Sequence, residues 1–196
     1  MIPLHAAQIA EITRGSLGAE TAPEDLVTAD AVVDSRLAQP GSLFVAVVGE
    51  SLDGHDYVGA ALGGGAVLAL VSRPVSGPHV LVDDTVEALG ELARAVLARL
   101  REHGLIRVVG ITGSVGKTST KDLLGQVLAA HGPTIAPVAS FNNEIGLPLT
   151  VLRADRHTRF LVLEMGASGI GHIEYLTRIA PLDVAVVLMV GQAHLG

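Results

Sequence analysis

Along the 196 residues of this chain, short apolar runs alternate with longer stretches whose apolar positions recur at helical intervals. The runs Ala31 to Asp34, Leu43 to Val48, Ala66 to Val71 and His79 to Val82 are strand-sized and predict four strands in the first half. Leu4 to Ile12 and Tyr57 to Leu62 predict short helices, and Thr85 to about Glu102 a longer one. In the longer helix Val86, Leu89, Ala93, Val96 and Leu100 repeat at helical spacing, Asp84 and Glu87 stand at capping-box spacing, and Gly104 falls where a C-terminal cap belongs. A domain boundary is placed near residue 104.

The second half opens on the apolar run Leu105 to Val109, which predicts a buried parallel strand, followed by a helix from Lys117 to Ala130. Leu123, Leu124, Val127 and Leu128 are expected on its packed face, and Gly132-Pro133 to stop it. Beyond an irregular stretch through Asn142-Asn143, the pattern predicts a short helix at Gly146 to Leu152 and a strand at Phe160 to Leu163. A helix at Ile173 to Ile179 and a strand at Val184 to Val190 follow. The alternation defines an α/β fold: a small N-terminal α/β domain, then a P-loop-type, mostly parallel sheet with flanking helices. Three predicted strands after residue 104 are too few for a complete nucleotide-binding sheet, so the chain reads as a fragment.

Between strand and helix stands Gly110-Ile111-Thr112-Gly113-Ser114-Val115-Gly116-Lys117-Thr118. A glycine-rich turn there lets successive main-chain N–H groups curl around a phosphate, while the helix N-terminus and an ammonium supply positive charge. The spacing is G-x-x-G-x-x-G-K-T, one residue longer than the strict P-loop. A plain strand-to-helix turn with a surface lysine is the competing interpretation. Lysine usage argues against it: of 13 basic residues only Lys117 and Lys121 are lysines.

Composition narrows the class. Apolar residues make up 49% of the chain, enough for a packed core, and with aromatics at 3% that core is aliphatic. A net charge of −7 and no visible cluster of Lys and Arg argue against a nucleic-acid surface. The absence of cysteine excludes disulfides, thiolate metal sites and cysteine nucleophiles. Met1 to Gly15 lacks the layout of a secretory signal, and the longest apolar stretches fall far below the roughly 20 residues of a membrane helix, so a cytoplasmic protein is expected.

In open α/β sheets ligands gather beyond the carboxyl ends of the strands. Successive strands here end in Lys117 and Thr118, in Glu164 and in His194. A hydroxyl, a carboxylate and an imidazole, together with phosphate oxygens and water, could complete octahedral coordination around Mg²⁺, although histidine is an unusual ligand for that ion. Taken singly, Glu164 could be a solvent-facing strand end or cap the turn Gly166 to Gly171, and His194 a frayed residue. That turn lacks dinucleotide-fingerprint spacing. His5, His55, His79, His103, His131, His157 and His172 show no metal-ligand spacing and are expected at the surface.

Ile111 to Thr118 resembles the ATP loop of the Mur ligases, the amide-forming enzymes of peptidoglycan precursor synthesis, and of their relative folylpolyglutamate synthase. Asp34-Ser35-Arg36, Pro40-Gly41-Ser42-Leu43-Phe44-Val45-Ala46 and Asp53-Gly54-His55-Asp56-Tyr57 resemble the N-terminal domain of the members that add the third residue and the terminal dipeptide. Phe141-Asn142-Asn143-Glu144-Ile145-Gly146-Leu147-Pro148-Leu149-Thr150, Glu164-Met165-Gly166-Ala167 and Val190-Gly191-Gln192-Ala193-His194-Leu195-Gly196 are closest to the dipeptide-adding branch. That branch usually has Asn where this chain has Met189, which cannot donate an amide hydrogen bond.

The resemblance implies a domain over 1–104 that binds the UDP end of UDP-N-acetylmuramoyl-tripeptide, with Ser35 and Arg36 near the uridine, and part of an ATP-binding domain over 105–196. It implies that Thr112, Gly113, Ser114, Val115, Gly116, Lys117, Thr118, Ser119 and Asn143 line the ATP site. Lys117 would contact the β- and γ-phosphates, and Thr118, Glu164 and His194 would hold Mg²⁺. Lys117, Glu164 and His194 are the implied catalytic set. The implied reaction is ATP-driven ligation of D-alanyl-D-alanine through an acyl phosphate, by a monomer without nucleic acid or a membrane span. Two alternatives stay open: the ligase adding the third peptide residue, and a non-catalytic nucleotide-binding module.

Overall fold

The computed structural model of the chain describes residues 1–104, 106–137 and 141–191. It divides into two compact units, Met1–Ala95 and Val96–Gly196.

In chain order the first unit holds β1 (Leu4–His5), α1 (Ala6–Thr13), β2 (Ser16–Leu17), β3 (Leu26–Val27), β4 (Ala31–Val32), β5 (Leu43–Val45), α2 (Val58–Gly63), β6 (Leu68–Val71) and β7 (His79–Leu81). Its main sheet has the order β2-β7-β6-β5-β4, parallel except where β2 meets β7, while β1 pairs antiparallel with β3. Every residue of β5 and β6 is buried, which is why both read as unbroken apolar runs. Phe44, Ala46, Val58, Ala61, Ala69 and Val71 form the core between sheet and α2.

Strands β4 and β5 end earlier than the apolar pattern predicts, β4 at a polar side chain and β5 at a main-chain turn. Asp34 accepts from the Arg36 N–H and starts a 3-10 turn over Ser35–Leu37. Beyond β5 the backbone doubles back, Gly54 N donating to Val47 O at 2.9 Å. The expectation of surface histidines fails at His55 and His79, which are 5% and 7% exposed. Their rings are satisfied inside: His55 Nδ1 lies 2.6 Å from Asp53 Oδ1 and its Nε2 accepts from Ser72 N, while His79 Nδ1 bonds the Gly77 carbonyl.

Helix α3 (Thr85–His103) begins where its cap predicts, Asp84 Oδ1 accepting from the N–H groups of Val86 and Glu87 at 2.7 and 2.9 Å. Leu89, Ala93, Val96 and Leu100 are buried along it, as the periodicity requires.

The second unit continues with β8 (Arg107–Thr112), α4 (Lys117–Ala129), β9 (Thr134–Ile135), α5 (Gly146–Leu152), β10 (Phe160–Glu164), α6 (His172–Ile179) and β11 (Val184–Val187). The described residues form a parallel sheet of order β11-β8-β10-β9, four strands rather than the three expected. The added strand, β9, is two residues long and carries no readable periodicity. Asp183 fixes the start of β11 by accepting from Val108 N and pairing with Arg101 and Arg107. Partial burial pushes its carboxyl pKa up, but that hydrogen bond and the two guanidinium groups together hold it below its ordinary value.

Helix α4 corrects a further expectation. Leu124 and Leu128 pack on Val109, Ile111 and Val162, but Leu123 and Val127 are 66% and 58% exposed. At 100° per residue the inward stripe runs through Lys121, Leu124, Gly125 and Leu128, which turns Leu123 and Val127 outward. Lys121 is wholly buried, its ammonium bonded to the Pro137 carbonyl and 3.0 Å from Asp122 Oδ1. Among the described residues no helix is long and apolar enough to cross a membrane.

Candidate functional site

Strands β8 and β10 run side by side with Gly110 opposite Leu163 and Ile111 opposite Glu164, so their carboxyl ends finish together. β8 is longer at that end than the sequence predicts and takes in Gly110, which is paired on both sides, to Leu163 and to Ala185. A Cβ at Gly110 would stand 2.5 Å from Leu182 Cδ1, so this glycine serves close packing rather than the turn. The turn itself spans Gly113 to Gly116. That accounts for the extra residue in the glycine spacing.

Gly113 has φ +142°, and a Cβ there would lie 2.8 Å from Leu188 Cβ. Gly116 takes the left-handed conformation at the N-cap of α4. The Lys117 ammonium folds back over the turn and donates to Gly113 O at 2.7 Å. Val115 and Ser119 are exposed along this rim. The segment after β11 crosses beside the turn: Leu188 N donates to Thr112 O, Ser114 N to Met189 O, and Ser114 Oγ bonds both Gly191 O and Gly191 N. Met189 therefore contributes its main-chain carbonyl, with the side chain exposed.

Glu164 is 2% exposed at the end of β10, which excludes the solvent-facing alternative. Its Oε2 accepts from Thr118 Oγ1 and its Oε1 from Asn142 Nδ2, both at 2.9 Å. Residues 46 positions apart in the chain are thus joined at the phosphate-loop edge. A hydroxyl and a carboxylate so close supply hard oxygen donors of the kind Mg²⁺ takes, so the residues present fit that ion. Among the described residues no three His, Cys, Asp or Glu side chains cluster as a metal site. His194 lies outside the described residues.

The structure distinguishes between the twin asparagines. Asn143 Oδ1 accepts from Gly146 N at 2.8 Å and caps the entry to α5, whereas Asn142 reaches Glu164. Sequence reasoning singled out Asn143 and missed Asn142. Nothing in the run Phe141 to Glu144 says which amide turns inward.

In the first unit, Ser35 opens its 3-10 turn, and Arg36, with a side chain 86% exposed, forms a forked pair with Asp34 whose closest approach is 2.6 Å. The hydrogen bond from the Arg36 side chain, then that from its main chain, holds the Asp34 carboxyl at about 2. The guanidinium faces solvent already paired.

A turn of this shape, leading from a parallel strand into a helix and facing a buried carboxylate on the next strand, defines a nucleotide-phosphate-binding α/β domain. Residues 111–196 match the Mur ligase middle domain. The whole chain is 45% identical to part of the UDP-N-acetylmuramoyl-tripeptide–D-alanyl-D-alanine ligase of Mycobacterium bovis, covering 43% of that protein. It superposes on a crystal structure of MurF from Acinetobacter baumannii with TM-score 0.88 and 33% identity, covering all of this chain and 43% of the other. Against MurF ligase from Thermotoga maritima in complex with ADP the TM-score is 0.73 at 40% identity, covering 86% of this chain and 39% of the other. Over residues 111–196 the chain carries the likeness to the Mur ligase middle domain, and over its whole length it is similar to part of these ligases. It spans less than half the length of the relatives it matches.

Proposed function

We propose that this chain carries the UDP-substrate domain, over 1–104, and part of the ATP-binding domain, over 105–196, of a UDP-N-acetylmuramoyl-tripeptide:D-alanyl-D-alanine ligase acting in the cytoplasm. The observation that carries the proposal is the hydrogen bond between Thr118 and Glu164 beside the turn that bears Lys117. The relatives' names, and the ADP complex of one of them, support the choice of substrates and nucleotide.

In this proposal the main-chain N–H groups of the turn and the Lys117 ammonium bind the β- and γ-phosphates and neutralise charge as it develops. Thr118 and Glu164, with His194, would hold Mg²⁺, which when bound neutralises triphosphate charge. A carboxylate oxygen of the tripeptide attacks the γ-phosphorus, the bond to the β-phosphate oxygen breaks and ADP leaves. The amine of D-alanyl-D-alanine then attacks the acyl carbon of the acyl phosphate; phosphate departs and the amine gives up a proton. Ser35 and Arg36 would stand near the uridine, and Asn143 beside the nucleotide.

The test is ligation by the full-length protein, followed by product mass. Pentapeptide product from tripeptide precursor, ATP and D-alanyl-D-alanine is expected, with Lys117→Ala lowering turnover by orders of magnitude. Turnover on the dipeptide precursor with a free diamino acid would transfer the assignment to the ligase that adds the third residue. Near-normal ligation by Lys117→Ala would defeat the role given to the turn.

A further inference from the structure

Two loops enclose the buried carboxylate of Glu164: one carries Asn142 ahead of α5, the other runs from Gly166 into α6. They meet directly where Gly166 N donates to Asn142 O at 2.8 Å. His172, the first residue of α6, makes a second connection. Its Nδ1 accepts from Ser168 N at 3.1 Å and lies 2.9 Å from Ser168 Oγ, while its Nε2 lies 3.1 Å from Glu144 Oε2.

The proton's location follows from the partners. A main-chain N–H can only donate, so Nδ1 presents its lone pair and Nε2 carries the hydrogen that goes to Glu144. The order Ser168–His172–Glu144 superficially matches a nucleophile triad, but Nδ1 is already occupied by the N–H of its own loop and is not free to take a hydroxyl proton. The imidazole is instead a strut. It joins a largely buried ring on α6 to the residue that follows the Asn142-Asn143 pair, with the His172 side chain 15% exposed and Glu144 43%.

We infer that His172 is a positioning residue: through Glu144 it holds the Asn142 loop over Glu164 and so fixes the direction in which that carboxylate faces a magnesium-bound nucleotide. The inference rests on the functional reading above and extends it to a residue pair outside the phosphate loop. His172 touches neither Thr118 nor Glu164 in this arrangement; it acts through Asn142, whose amide fixes one of the two carboxylate oxygens.

The test uses the full-length protein and calorimetric binding of a non-hydrolysable ATP analogue, with and without Mg²⁺, beside thermal melting. His172→Ala and Glu144→Ala should each weaken the Mg²⁺-dependent affinity about fivefold, the effect of one net hydrogen bond, and leave the metal-free affinity unchanged. The double variant should be no weaker than either single one, because the two residues form one unit. Glu144→Gln, which still accepts from Nε2, should restore binding. Should His172→Ala not fold, His172→Asn keeps an acceptor toward Ser168, loses the reach to Glu144 and carries the same expectation. Lower melting temperatures with unchanged Mg²⁺-dependent affinity, or single effects that multiply in the double variant, would overturn the strut. Wild-type protein without Mg²⁺-dependent nucleotide binding would overturn the functional reading along with it.

Discussion

Removing the Glu164 carboxylate should separate its part in the fold from the role proposed for it toward Mg²⁺. Glu164→Ala deletes the acceptor of two hydrogen bonds, from Thr118 Oγ1 and Asn142 Nδ2, at a residue only 2% exposed. Hydrogen bonds to a charged acceptor contribute about 1.5–3 kcal/mol each, while relief of a buried charge offsets part of the loss. A net cost of about 2 kcal/mol follows, or a fall of roughly 10 °C in the melting temperature of a domain this size. Glu164→Gln keeps the shape. Its carbonyl oxygen can accept from Asn142 and its amide can donate to the Thr118 hydroxyl, which rotates to accept, so the cost should stay within about 1 kcal/mol. Both variants should nevertheless lose the Mg²⁺ dependence of nucleotide binding, since Ala offers no oxygen there and Gln, with its carbonyl on Asn142, turns an NH₂ donor rather than a charged oxygen toward Thr118. Thermal melting and a Mg²⁺ titration of analogue binding read the two effects separately. Equal melting temperatures for the two variants, or a Gln variant with wild-type Mg²⁺ dependence, would refute the reasoning.

Two further outcomes are expected. The Asp53 carboxyl is held at about 2, first by the His55 main-chain N–H and then by the His55 ring, with Arg73 adding to it. Because the folded value lies below the ordinary 3.8, its stabilisation is present above about pH 4 and disappears as pH falls toward 2; urea midpoints should drop over that window in the wild type and less in Asp53→Asn, and equal slopes would contradict the pairing. Gly113→Ala forces a side chain onto a backbone at φ +142° and against Leu188 Cβ, so it should weaken nucleotide binding and destabilise by about 1–3 kcal/mol in chemical unfolding, whereas Ala at the exposed Val127 should not.

The chain's layered α/β architecture was legible because its central strands are buried on both faces and its long helix carries both a periodic stripe and an acidic cap. Leu89 to Leu100 and the Asp84 cap could be read directly, and so could the strand that ends at Glu164. The two-residue strand β9 spans a single period of the strand alternation and left no signal. The face of α4 was misread because a lysine counts as polar in any hydrophobic pattern, yet Lys121 is buried through its bond to Pro137. At the site, the glycines, Lys117, Thr118 and Glu164 were visible as residue types at strand ends. Asn142, and the link from His172 to Glu144, depend on side-chain direction in loops, which no spacing encodes.

The central claim is that Thr118 and Glu164, brought together by adjacent parallel strands, share the magnesium of a nucleotide gripped by the turn at Ser114. A crystal structure of the full-length protein with Mg²⁺ and a non-hydrolysable ATP analogue tests it most directly. The account predicts the ion at about 2.0–2.1 Å from an oxygen of each residue, with Lys117 on the terminal phosphates. An ion held by phosphates and water alone, with Glu164 still bonded only to Thr118 and Asn142, would contradict it.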